Sequence, residues 1–143
     1  MKMDTQQLVQ ECNSGCKMAI YSMDQVIEYV GDEKLKKLIE KYKYSHENLE
    51  EESSELLKQM GKGEKDPGMV ATAFSWLSTE TKLIMKNSDN QITKVLMDGC
   101  NMGIQSISEE MNKYPEASKE AKKLADKLVR LEEEFVQELK SFL

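Results

Sequence analysis

Apolar residues recur at Val9, Cys12, Cys16, Ala19, Met23, Val26 and Val30, in steps of three and four. That rhythm marks one buried stripe along an α-helix, here broadened by Leu8, Ile20 and Ile27. Asp4 is the expected N-cap, with the helix running to about Val30 and stopping at Gly31. A second stripe follows at Leu35, Ile39, Tyr42, His46, Leu49, Ser53, Leu56 and Met60, capped by Asp32 and closed at Gly61. The GDE between the two stripes leaves room only for a tight turn, which predicts an antiparallel helical hairpin.

The segment KGEKDPG reads as a linker between two halves, and MVATAFSWLSTETKLIMK beyond it as a third helix with Val70, Phe74, Leu77 and Ile84 on one side. Ser88 opens an S-x-x-Q capping box for a fourth helix carrying Leu96, Cys100, Gly103, Ile107, Met111 and Tyr114. Pro115 breaks it and begins a fifth, with Ala121, Leu124, Leu128, Leu131, Phe135, Leu139 and Phe142 inward. No stretch alternates as a strand does. Two hairpins joined by a long connection describe a bundle with a crossover. The third helix, about 27 Å long at 1.5 Å per residue, can carry the chain from one end of the bundle to the other. The tetrad C-N-x-G occurs twice, at Cys12–Gly15 and Cys100–Gly103, at equivalent places in the two hairpins.

Composition narrows the function. The 143 residues suit one domain, 1–143, with a sizeable core. A net charge of −6 without a Lys/Arg cluster disfavours nucleic acid and anionic membranes as partners. The N-terminus lacks an apolar leader, no window reaches the roughly 20 apolar residues of a membrane span, and three cysteines is an odd count. The expected compartment is therefore the cytoplasm, with reduced thiols. One histidine, His46, excludes any mechanism needing two.

Leu8 through Gly15, Trp76 in AFSWLSTETK, and the helix containing DGCNMGIQSI resemble motifs of the ferritin-like superfamily, and more closely a group of small bacterial ferritin-like proteins of uncharacterised function. The resemblance covers nearly the whole chain in helix order and length. It implies an all-α, antiparallel four-helix bundle with a helical crossover between the two hairpins. It also implies a place for a di-metal site, which takes a carboxylate from each of two helices and Glu-x-x-His from each of the other two. Carried over residue by residue, that ligand set is incomplete. Cys16 and Ile104 stand after the glycines of the first and fourth helices, Lys43 stands three residues before His46, and the last helix has no histidine.

Cys12 and Cys16, four residues apart, share the buried seam as small core side chains. Two thiols on consecutive turns of one helix are badly placed for a disulfide, because their Cα–Cβ vectors run nearly parallel. His46 lies on the inward face of its helix, where it can be a core histidine bonded to a Ser, a Tyr or a backbone carbonyl. Alternatively, Cys16, His46 and Cys100 meet at one level as a three-ligand zinc site. The carboxylates of ENLEEESSE (47–55) and LEEEF (131–135) read as a solvated face. Trp76, if exposed, marks an interface. GKGEKDPG lacks the phosphate-loop spacing and reads as a flexible linker.

The expectation is a degenerate, non-catalytic ferritin-like bundle with no cofactor, serving as an interaction or structural module for a protein partner or a second copy of itself. A Cys/His metal-binding or thiol redox-responsive protein is the alternative, and a ferritin-like di-metal oxidase the second alternative.

Overall fold

A computed structural model describes residues 2–63 and 89–143. Four α-helices, α1 (Lys2–Ile27), α2 (Glu33–Gln59), α3 (Asp89–Lys113) and α4 (Lys119–Leu139), are followed by a 3₁₀ turn over Lys140–Phe142. The described residues are all-helical, without a strand. The expected crossover helix, with Phe74 and Trp76, and the Ser88 cap lie outside the described residues.

The ends of the helices follow local chemistry. Asp32 sits in an extended conformation and its carboxylate accepts the Lys34 amide at 2.8 Å, the N-cap read from the sequence. At the other end of α2, Gly61 takes φ +68°, open to glycine at little cost. There the Lys62 amide donates to the Leu57 carbonyl at 2.9 Å and the Gly61 amide to the Lys58 carbonyl at 3.0 Å, a Schellman closure. Ser118 caps α4 by accepting the Ala121 amide at 3.1 Å. The first helix departs from expectation at both ends. It starts at Lys2, so Asp4 lies in its first turn, where its charge suits the helix dipole. It also ends at Ile27, short of Val30, where the Tyr29 and Val30 amides reach back three residues to Val26 and Ile27.

Round the bundle the helices follow the order α1, α2, α4, α3, and α1 also touches α4 across the diagonal. Neighbours run antiparallel. Tyr42 stacks on Phe135, His46 meets Glu132, and Glu52 meets Lys127, so α2 descends as α4 rises. The hairpins are tied at both ends. Asp89, first residue of α3, accepts the Gly31 amide at 2.8 Å and the Asp32 amide at 2.9 Å, while the Ser118 amide donates to Thr5 Oγ1 at 2.8 Å. Gln10 Nε2 donates to the Gly63 carbonyl at 2.9 Å, at the end of the bundle away from Asp89. The connection from α2 to α3 thus joins opposite ends, roughly 40 Å apart by the length of α2.

The core divides into two apolar clusters. One gathers Leu8, Val9, Cys12, Cys16, Leu49, Leu57, Ile107, Leu124 and Leu128, and the other Met23, Val26, Leu35, Ile39, Tyr42, Ile92, Leu96, Cys100 and Phe135. Along α2 the seam between them falls at His46, and along α4 at Glu132.

Candidate functional site: a buried imidazole–carboxylate pair

His46 is 0% and Glu132 5% exposed, and they face each other at mid-height with Nε2 and Oε1 2.5 Å apart. The other ring nitrogen, Nδ1, lies 2.6 Å from the Tyr42 carbonyl one turn earlier on α2. A carbonyl only accepts, so Nδ1 carries a proton. Burial, the largest single influence, pushes the His46 pKa down. The hydrogen bond and charge of Glu132, together with the Tyr42 carbonyl, outweigh it, and the net shift is upward from 6.5. The upward shift favours the protonated ring, which can donate from Nδ1 to the Tyr42 carbonyl and from Nε2 to Glu132.

The packing above the pair keeps it in place. The Tyr42 and Phe135 rings stack with centroids 4.4 Å apart and an 11° interplanar angle, and the Tyr42 hydroxyl donates to the Glu138 carboxylate. Below it, Asn13 Nδ2 on α1 donates to Ser53 Oγ at 2.9 Å and Ser54 Oγ at 3.0 Å on α2.

The three expected zinc ligands are all buried near this level, but the structure partners them differently. Cys16 packs in one apolar cluster and Cys100 in the other. The Cys100 thiol is within hydrogen-bond reach of Glu132. Burial first, and then the charge of Glu132, push the Cys100 thiol far up, and burial does the same to Cys16. Burial also raises Cys12, to about 12. None of the three is a thiolate nucleophile near neutral pH. Both ring nitrogens of His46 already have partners, the Tyr42 carbonyl at Nδ1 and Glu132 Oε1 at Nε2. Among the described residues no three His, Cys, Asp or Glu side chains are grouped to hold an ion.

Nor do the residues present fit a di-metal cofactor. Lys43, where a carboxylate is needed, turns instead to Asp24 at 2.5 Å. Glu132 brings a single buried carboxyl group, and one of its oxygens is already engaged by His46.

Glu132 corrects the expectation that LEEEF is a solvated face. Glu133 and Glu134 are exposed, but Glu132 points inward and the neighbouring Leu131 is only half-buried. The signal was in the spacing, since Leu128, Glu132, Phe135 and Leu139 keep the four-three-four rhythm of the stripe. In the second helix, Leu57 rather than Leu56 is the buried leucine. The carboxylates of 47–55 do turn outward, apart from the half-buried Glu50.

Beside the pair, between α1 and α3, lies a cavity of about 280 Å³. Its α1 wall carries Gly15, Met18, Ala19, Ser22 and Met23, and its α3 wall Val95, Leu96, Gly99, Cys100, Met102, Gly103 and Ser106. Phe135 closes one side, and His46 and Glu132 border it as polar groups. Small residues on both facing helices leave the space open. A Cβ added at Gly99 would meet nothing within 4 Å, and one at Gly103 would stand 3.7 Å from Glu132 Oε2.

Neither a protein-family model nor a curated protein matches the chain. In fold it is similar to the crystal structure of a DUF305 fragment from Deinococcus radiodurans, with a TM-score of 0.74 at 13% identity over 96% of this chain and 93% of that one. At that identity the likeness concerns the helical bundle and nothing finer.

Proposed function

We propose that this protein is a non-catalytic, ferritin-like four-helix bundle acting in the cytoplasm as an interaction or structural module, with another protein or a second copy of itself as partner. The observation that carries this reading is the pairing of His46 with Glu132. At the height where iron-handling bundles gather carboxylates and histidines, one imidazole and one carboxylate satisfy each other across the α2–α4 seam. A polar pair of this kind fixes the register of two helices that apolar contacts alone would let slide. The antiparallel order with end-to-end connection of the hairpins supports the ferritin-like assignment, as does the resemblance in the first and fourth sequence segments.

The deciding experiment is metal analysis and an Fe(II) oxidation assay on protein purified without chelator, with light scattering for the oligomeric state. Metal-free protein without oxidase activity, forming a defined assembly with itself or with a captured protein, is the expected result. Two equivalents of iron with Fe(II) oxidation would overturn the proposal. About one equivalent of zinc, lost in His46→Ala, would replace it with the thiol–imidazole alternative.

A further inference from the structure

We propose that the cavity between α1 and α3 is a binding site for a small neutral aromatic molecule carrying one N–H or O–H donor, of the indole or phenol class. This holds whether or not the bundle has catalytic relatives, because it rests on the cavity and the buried Glu132 at its border.

Size comes first. About 280 Å³ is nearly twice the ~150 Å³ of an apolar cavity that takes up benzene, which is room for a bicyclic ring. The walls suit such a ring. Met18, Met23 and Leu96 offer deformable or branched apolar surface, and Phe135 offers an aromatic one.

The polar border selects within that class. Glu132 is nine-tenths buried or more, and its Oε1 is taken by His46. Oε2 is the oxygen nearest Gly103, on the cavity side. The Cys100 thiol, which also reaches Glu132, is only a weak donor, so the carboxylate keeps acceptor capacity for one strong donor. With the His46 ring already seated on Oε1, a neutral donor can take the other oxygen without placing a cation beside the imidazole, whereas an anion would face Glu132 itself. A neutral ring with a single donor is the chemistry that remains. Met102, about half exposed at 52%, stands at the rim and leaves the mouth apolar.

Titration calorimetry with indole as the probe tests this on the whole chain, with indene as the shape-matched molecule lacking a donor. Saturable binding of indole, about tenfold weaker for indene, is expected from one hydrogen bond to a charged acceptor. Gly99→Leu fills the cavity from a position with open space around it and replaces glycine by a better helix former, so the fold is retained. It should weaken indole binding at least tenfold while unfolding no earlier than the parent. Absence of saturable binding, equal affinity for indole and indene, or undiminished affinity in folded Gly99→Leu would each overturn the proposal.

Discussion

His46 and Glu132 occupy the same position in their two hairpins: each lies fourteen residues beyond the N-cap of its helix, Asp32 for α2 and Ser118 for α4. The match extends along both helices. Leu35 and Ala121, Ile39 and Ala125, Tyr42 and Leu128, Leu49 and Phe135, and Ser53 and Leu139 are buried at corresponding places. The bundle thus approximates a two-fold arrangement of hairpins, consistent with the doubled C-N-x-G tetrad. Equivalent residues on antiparallel neighbours meet where the axis passes between them. Two like charges there would repel; an acid facing a base removes the conflict.

That complementarity makes each member costly to remove alone. Glu132→Leu leaves a buried imidazole without its partner and should lower the unfolding free energy by about 3 kcal/mol, at the lower end for a broken buried pair because His46 can shed its proton. The double variant His46→Leu/Glu132→Leu fills the seam with apolar groups and should return to within about 1 kcal/mol of the parent. Urea denaturation of the two singles and the double gives the coupling. If the double loses the sum of the singles, the two residues act independently.

Asp89 ties the hairpins at one end of the bundle, accepting two amides from the α1–α2 turn. Asp89→Ala should cost about 1–2 kcal/mol, since two charge-assisted bonds are lost at a solvent-accessible site. Asp89→Asn, which keeps one acceptor oxygen, should recover about half. The urea midpoints of these two variants order the outcomes, and an Asp89→Ala midpoint equal to the parent would show that the turn is held by other contacts.

Much of this was written in the spacing of the apolar residues. The two hairpins, the Asp32 cap, the closure at Gly61 and the inward direction of Cys12, Cys16, His46 and Cys100 all follow from local periodicity and capping. Glu132 did not, because LEEEF offers Leu131 as a ready apolar occupant of the seam, and a helix rotation of about 100° decides between them. The lone inward histidine held the missing clue: a buried ring nitrogen needs a partner, and α2 supplies only the Tyr42 carbonyl. Cavity and zinc ligation are different in kind. Which of several buried side chains touch depends on rotation and separation of helices distant in sequence, and those are set by the packing of the whole bundle.

The thiols should be inert in the folded protein. With Cys12 raised to about 12 and Cys16 and Cys100 pushed further, the thiolate fraction at pH 8 falls roughly a thousandfold below that of a free cysteine. Ellman's reagent should modify none of the three on the timescale that labels free thiol, and all three after unfolding in urea. Rapid native labelling of even one cysteine would revive a redox role.

The pH dependence of stability provides the sharpest reading of the central pair. His46 has its pKa raised on folding, since Glu132 and the Tyr42 carbonyl together outweigh the larger single effect of burial. The folded state therefore holds the proton more tightly than the unfolded chain. Its stabilising contribution is fully present below the unfolded value of about 6.5 and is lost as pH rises through the higher folded value. Parent and His46→Gln should thus differ most in urea midpoint at roughly pH 6 and converge as pH climbs past the folded pKa, because only the parent releases this proton. The sequence contains a single histidine, so its ring resonances need no assignment. Their chemical shift should titrate above 6.5 in the native protein and near 6.5 in urea. A native midpoint at or below the unfolded one, or parallel stability profiles for the two proteins, would mean that His46 is buried neutral and that Glu132 holds it as a hydrogen-bond partner without the ion pair.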